Sequence, residues 1–252
     1  MTVEVCAGSL QSVIEAEKGG ASRVELCDNL FEGGTTPSAA TIELACKSVK
    51  IPVYVMIRPR GGDFLYSGIE FEIMQRDIFL AKKYGAAGVV FGLLLPDGSV
   101  DEQRTAELVA AAKNLEMGVT FHRAFDMTAN PHRALESVIK AGCERILTSG
   151  GENKAVDGKK LIKELHIAAA GRISIMAGSG VNPGNVRDLV EYTGISEVHV
   201  SGKRRVAGGM IFRNPKINMG GLPGIPEYET DVSDSETVKK LVAALSITNS
   251  DI

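Results

Sequence analysis

The sequence predicts a single α/β domain over residues 1–252, a (β/α)8 or TIM barrel, and three observations carry that reading. The length suits one large domain, since α/β barrels routinely occupy about 200–250 residues. Glycine is in excess, with 28 of 252 residues, against a usual share of about 7%. Those glycines also punctuate a repeated grammar, visible in segments 19–27, 85–92, 142–150 and 194–202, in which a helical pattern stops at glycine and a short β-branched run follows. A glycine just past a helix takes the left-handed conformation without a Cβ clash, so it ends the helix and lets the chain turn into a strand.

Eight strands are expected, at 2–6, 23–27, 52–57, 88–92, 118–122, 145–148, 173–177 and 197–200, each followed by an amphipathic helical pattern. Helix entries agree with that count. Pro37 precedes the apolar face of Ile42, Leu44, Ala45 and Val49, and Asn130-Pro131 precedes Ala134, Leu135, Val138 and Ile139. Ser233 and Glu236 have capping-box spacing ahead of a last helix with Val238, Leu241, Val242 and Leu245 on one face. The even spacing of the units, and the lack of a GxGxxG after the first strand, favour a closed barrel over a doubly wound sheet. The Gly/Pro-rich segment 203–230 falls outside the repeat, after the eighth strand, and is expected to emerge at the catalytic face.

Composition narrows the function. There are 28 Lys and Arg against 31 Asp and Glu, a net charge of −3, with no basic stripe of the kind that neutralises phosphates, so neither a nucleic acid nor a membrane is an expected partner. No signal peptide is visible at the amino terminus. Cys6, Cys27, Cys46 and Cys143 are scattered and form no CxxC pair, which predicts reduced thiols and a cytoplasmic chain.

Strand parity sharpens the question, because alternate side chains face opposite sides of a strand. If the aliphatic set (Val3, Val5, Val24, Leu26, Val53, Val55, Val119, Phe121, Val198 and Val200) faces the helices, then Glu4, Cys6, Arg23, Glu25, Cys27, Tyr54, Met56, Arg58, Thr120, His122, Glu197, His199 and Ser201 point inward. Charged groups are costly in a barrel interior unless paired or bound to something. Mutual neutralisation accounts most simply for Glu4, Arg23 and Glu197. The strand-end residues Cys6, Cys27, Arg58, His122 and His199 lie where barrel enzymes build their sites.

The loops add candidates. Arg58 and Arg60, held apart by Pro59, suit an anion, unless Asp63 and Glu70 claim them. His122 with Asp126 or Glu25 offers proton exchange, with His199 as a further candidate. Thr148, Ser149, Gly150, Gly178, Gly180 and Ser201 offer small hydroxyls and open backbone N–H groups for an anion.

The motifs Val24-Glu25-Leu26-Cys27, Glu32 to Ser38, Ile57 to Phe64, Thr120 to Asp126, Arg145 to Gly150 and Met176 to Val181 together resemble the CutC copper homeostasis family over about 200 residues. The resemblance implies a TIM barrel, a cytoplasmic location, a homo-oligomer such as a dimer, a role in copper tolerance, and Cu(I) binding at Cys6 and Cys27. It implies no established reaction. Soft Cu(I) suits two thiolates on neighbouring strand ends. The surrounding oxygen and nitrogen groups suit instead an isomerase or lyase acting on a small phosphorylated or carboxylated metabolite, or a divalent ion held by His122, His199 and a glutamate.

Overall fold

The computed structural model describes residues 1–217, 219 and 225–246. Eight strands, β1 (Thr2–Ala7), β2 (Arg23–Leu26), β3 (Val53–Met56), β4 (Gly88–Phe91), β5 (Gly118–Phe121), β6 (Arg145–Thr148), β7 (Ser174–Gly178) and β8 (Glu197–Val200), pair in parallel and in chain order. Pairing of β8 with β1 closes the barrel. Around it lie α1 (Leu10–Lys18), α2 (Ala39–Ser48), α3 (Gly68–Lys83), α4 (Glu102–Asn114), α5 (Pro131–Ala141), α6 (Lys159–Ala169), α7 (Val186–Thr193) and α8 (Ser235–Ser246). All eight expected strands are present, displaced by at most a residue or two at their ends. No helix among the described residues is long and apolar enough to cross a membrane.

The outward aliphatic set does what its parity predicts. Val3, Val5, Val24, Val55, Val119 and Val198 are buried in one apolar shell with Val13, Ile42, Met74, Ile78, Leu108, Leu135, Ile162 and Leu189 from the helices. Each such side chain contributes about 1.5–3 kcal/mol when fully removed from water. Helix entries follow side-chain chemistry closely. Ser38, rather than Pro37, caps α2 by accepting from the Thr41 N–H, while Asn130 caps α5 with Pro131 at its first position. The expected box at Ser233 is replaced by Asp234, which accepts from the Thr237 N–H at 3.0 Å. Ser233 is instead drawn to the barrel, its N–H donating to Ser12 Oγ at 3.1 Å. A capping box does form at α3, between Ser67 and Glu70.

Segment 203–230 contributes more order than its composition suggests. Lys203–Ala207 (β9) pairs antiparallel with Glu229–Ser233 (β10). Lys203 and Arg205 reach Asp231 across the ribbon at 2.8 and 3.1 Å. Residues 218 and 220–224 of the segment lie outside the described residues. The ribbon starts directly after β8 and returns the chain so that α8 packs its Val238 where Gly19 leaves space.

Low in the barrel, Tyr54 lies across the two neighbouring strands at Gly88 and Gly118. A Cβ at these positions would sit 2.5 Å from the Tyr54 ring and 2.0 Å from its hydroxyl, respectively. Gly118→Ala therefore overpacks the interior, lowering stability by about 1–3 kcal/mol. Gly68→Ala, at an open helix start, serves as the control, since a Cβ there meets nothing within 4 Å. The urea midpoint falls for the first variant and not for the second; equal midpoints contradict this packing role for glycine.

Candidate functional site

Ionic contacts run up the barrel interior from its floor. Arg145 donates from Nε to Glu197 at 2.5 Å and from Nη1 to Thr120 at 3.2 Å. Arg23 donates to the same Glu197 oxygen at 2.7 Å and from Nε to Glu4. Both guanidiniums lie over the Tyr54 ring, at 5.0 and 5.7 Å from its centroid. The other Glu4 oxygen meets His199 Nδ1 at 2.8 Å, and His199 Nε2 lies 3.6 Å from Glu25. The expected neutralisation of Glu4, Arg23 and Glu197 is thus present, with Arg145 as a second guanidinium. Arg145 is not assignable from the sequence because Ile146 and Leu147 give β6 no alternation to read; the pleat of the strand turns it inward, level with Thr120.

Electrostatics changes character along this column. Burial pushes Glu4 upward, but His199 and Arg23 outweigh it and hold the carboxyl at about 2. Burial likewise opposes the His199 imidazolium, yet Glu25, Cys6 and Glu4 keep it well above its usual value. Glu25 is raised to about 8, by burial first and, with His199 pulling the other way, by the negative charges of Cys6 and Glu4. At the top, Cys6, Glu25 and Cys27 bring one ligand atom each within 4.8 Å of one another. Cys27 donates from Sγ to Glu25 Oε2 at 3.4 Å. Its proximity, against burial and aided by His199, holds Cys6 well below the ordinary thiol value, while Cys27 itself is pushed well above it.

Above this cluster, at the carboxyl ends of the strands, opens a cavity of about 340 Å³ lined by Cys6, Glu25, Arg58, His122, His199 and Ser201 together with Met56, Phe64 and Leu147. His122 Nδ1 accepts from the Ala124 N–H at 3.1 Å, so the neutral ring carries its proton on Nε2, which has no partner among the described residues. Burial and the Arg58 charge hold this imidazole at about 3. The ring fits because Gly92 has no side chain, a Cβ there falling 2.6 Å from Nδ1.

Other expected residues are placed differently. Arg60 turns away from the cavity to Glu70 at 2.5 Å and Asp63 at 3.2 Å, so no two-arginine clamp forms. Arg58 stays at the cavity but donates to the carbonyls of Glu32, Gly34 and Gly62. Asp126 does not reach His122. It accepts from Arg123, Thr148 Oγ1, Ser149 Oγ and the N–H groups of Ser149 and Gly151. The expected anion cradle at Thr148, Ser149 and Gly150 is therefore filled by a carboxylate of the chain itself. Gly178 acts in packing, leaving room for Leu147 and His199, whereas Gly180 and Ser201 line the cavity. A divalent site of His122, His199 and glutamate is not assembled; the compact group is Glu4, Glu25 and His199.

Acid should weaken this column in a defined way. Glu4 binds fewer protons folded than unfolded between 4.5 and about 2, and His122 does so between 6.5 and about 3. Their contributions are consequently lost as pH falls through those windows, while Glu25, which binds more protons folded than unfolded between about 8 and 4.5, opposes the loss above 4.5. Glu4→Gln flattens the limb below 4.5 in a series of urea midpoints against pH; an unaltered slope rules out Glu4 as its source.

Comparison with known proteins adds the family. The model of the CutC family matches residues 1–204. Copper homeostasis protein cutC homologs of Mus musculus and Homo sapiens are each 48% identical over 241 residues, covering 96% of this chain and 88% of theirs. A CutC family protein of Chromobacterium violaceum is 47% identical over 243 residues, covering 96% of this chain and 97% of its own. Among solved structures, the CutC protein of Streptococcus agalactiae superposes with a TM-score of 0.75 at 35% identity, over 80% of this chain and 98% of that one. Phosphoribosylanthranilate isomerase of Thermotoga maritima, at 13% identity and a TM-score of 0.57 over 97% of both chains, shares the fold. With a barrel in common and nearly half its residues identical to those of such relatives, this chain belongs to the CutC family.

Proposed function

We propose that this chain serves copper homeostasis in the cytoplasm by binding one Cu(I) between Cys6 and Cys27. The observation that carries the reading is the placement of two sulfur atoms within 4.8 Å of each other at neighbouring strand ends. Cu(I) is soft and prefers thiolates. Two metal–thiolate bonds of about 2.3 Å, the length found in zinc sites, span about 4.6 Å when opposed. The fit extends to protonation. Cys6 is already held toward thiolate, and the Cys27 proton that binding must expel points at Glu25, 3.4 Å away. Cys6 also lines the cavity, which supplies an entry path. All four cysteines are free, as Cu(I) chemistry in a reducing compartment requires.

Work as a homodimer belongs to the same reading. Met210, Ile211 and Phe212, beyond β9, are 62%, 100% and 75% exposed, a surface suited to a second copy.

In competition with a chromophoric chelator, the chain takes up about one equivalent of Cu(I), and Cys6→Ser combined with Cys27→Ser abolishes uptake. Cys46→Ser with Cys143→Ser leaves it intact. Unchanged affinity in the first double variant refutes the assignment. In sedimentation, Ile211→Asp with Phe212→Asp reduces the mass to that of one chain; an unchanged mass excludes this surface from the interface.

A further inference from the structure

The cavity holds a second set of groups that copper does not use. Arg58 is 4% exposed, and its guanidinium donates only to backbone carbonyls. Among the described residues no carboxylate pairs with it. A buried charge without a counter-charge is costly. Beside it stands His122, equally buried, whose Nε2–H has no acceptor among the described residues. Phe64 joins the two, with its ring centroid 5.0 Å from the His122 ring and 5.0 Å from the Arg58 guanidinium carbon. One uncompensated cation and one uncharged donor therefore share a wall of a preformed cavity. Apolar Met56, Leu147 and Val181 also line the cavity, and the two other long cations of its lining, Arg123 and Lys203, are already paired with Asp126 and Asp231.

The distribution of other donors decides which anion fits. A phosphate at this face would take the backbone N–H groups of the last strand-end loops. Those of Ser149 and Gly151 already donate to Asp126, as does Arg123 Nε, and the Ser179 hydroxyl donates to the Asn153 carbonyl. At the wall formed by Arg58 and His122, the donors match a single negative charge with one strong hydrogen bond.

We propose that the cavity at the ends of β3 and β5 binds a small organic monocarboxylate with an apolar body, its carboxylate neutralising Arg58 and accepting from His122 Nε2–H. The apolar body lies against Phe64, Met56, Leu147 and Val181. The volume of about 340 Å³ is at the small end of ligand pockets and suits a molecule of amino-acid size. This site shares its cavity with Cys6 but uses neither sulfur as a partner.

The test is NMR titration of the 15N-labelled full chain, following the His122 ring nitrogens in the native chain and the backbone amides in every variant. The probes are phenylacetate and isovalerate, with phenylacetamide and inorganic phosphate as controls, each at about 10 mM, enough to fill a site with a Kd of about 1 mM. Both carboxylates shift Nε2, and neither control does. His122→Asn keeps an oxygen to accept from the Ala124 N–H but loses the Nε2 donor, and weakens phenylacetate by about tenfold or more, or about 1.4 kcal/mol. His122→Gln restores a donor at that reach and retains binding. Cys6→Ser with Cys27→Ser loses Cu(I) yet keeps phenylacetate, so failure of either reading is seen separately. The proposal is overturned if neither carboxylate shifts Nε2, if phosphate or the amide binds as well as phenylacetate, or if His122→Asn binds undiminished.

Discussion

The carboxylate of Glu4, held between the Arg23 guanidinium and the His199 imidazolium, is the contact on which the rest of the interior depends. Through Arg23 it connects downward to Glu197 and Arg145, and through His199 upward to Glu25 and the two sulfurs. Removing one member leaves its neighbours buried and unpaired, which is far costlier than replacing a whole group with apolar residues. A barrel floor of this kind trades the usual aliphatic filling for a polar column whose members orient one another.

That column has a direction. At the floor, Arg23, Arg145, Glu4 and Glu197 neutralise one another at close range. Higher up the balance loosens, because Glu25 faces His199 at 3.6 Å rather than at full hydrogen-bond contact and is also next to Cys6. Negative character is passed to a polarisable sulfur at the strand end. Groups of ordinary type become chemically distinctive there through position alone.

The opposite wall follows another logic. Asp126 ties the loop after β5 to the loop after β6, consuming the donors that many barrels of this architecture leave for phosphate. Arg60 does similar work on the loop after β3, bound to Glu70 and Asp63. With those donors and Arg60 engaged elsewhere, His122 and Arg58 remain at the cavity beside Phe64.

Much of this was legible from residue order. Helix-stop glycines and β-branched runs determined the eight repeats, and alternation in β1, β2, β3, β5 and β8 determined which charged side chains face inward, because both are local properties of backbone and pleat. Arg145 escaped, since a run of Ile146 and Leu147 carries no alternation to read. Sequence proximity also misled: His122 and Asp126 are close in the chain, yet a short 3-10 turn, Arg123–Met127, sends the carboxylate to Ser149 instead. Sequence alone determined the barrel, the inward set and the family resemblance. Only the tertiary structure decided which partner each charge takes, because pairing across a closed barrel depends on the register between strands distant in sequence, and that register, through β1 with both β2 and β8, is what brings Glu4, Arg23 and His199 together.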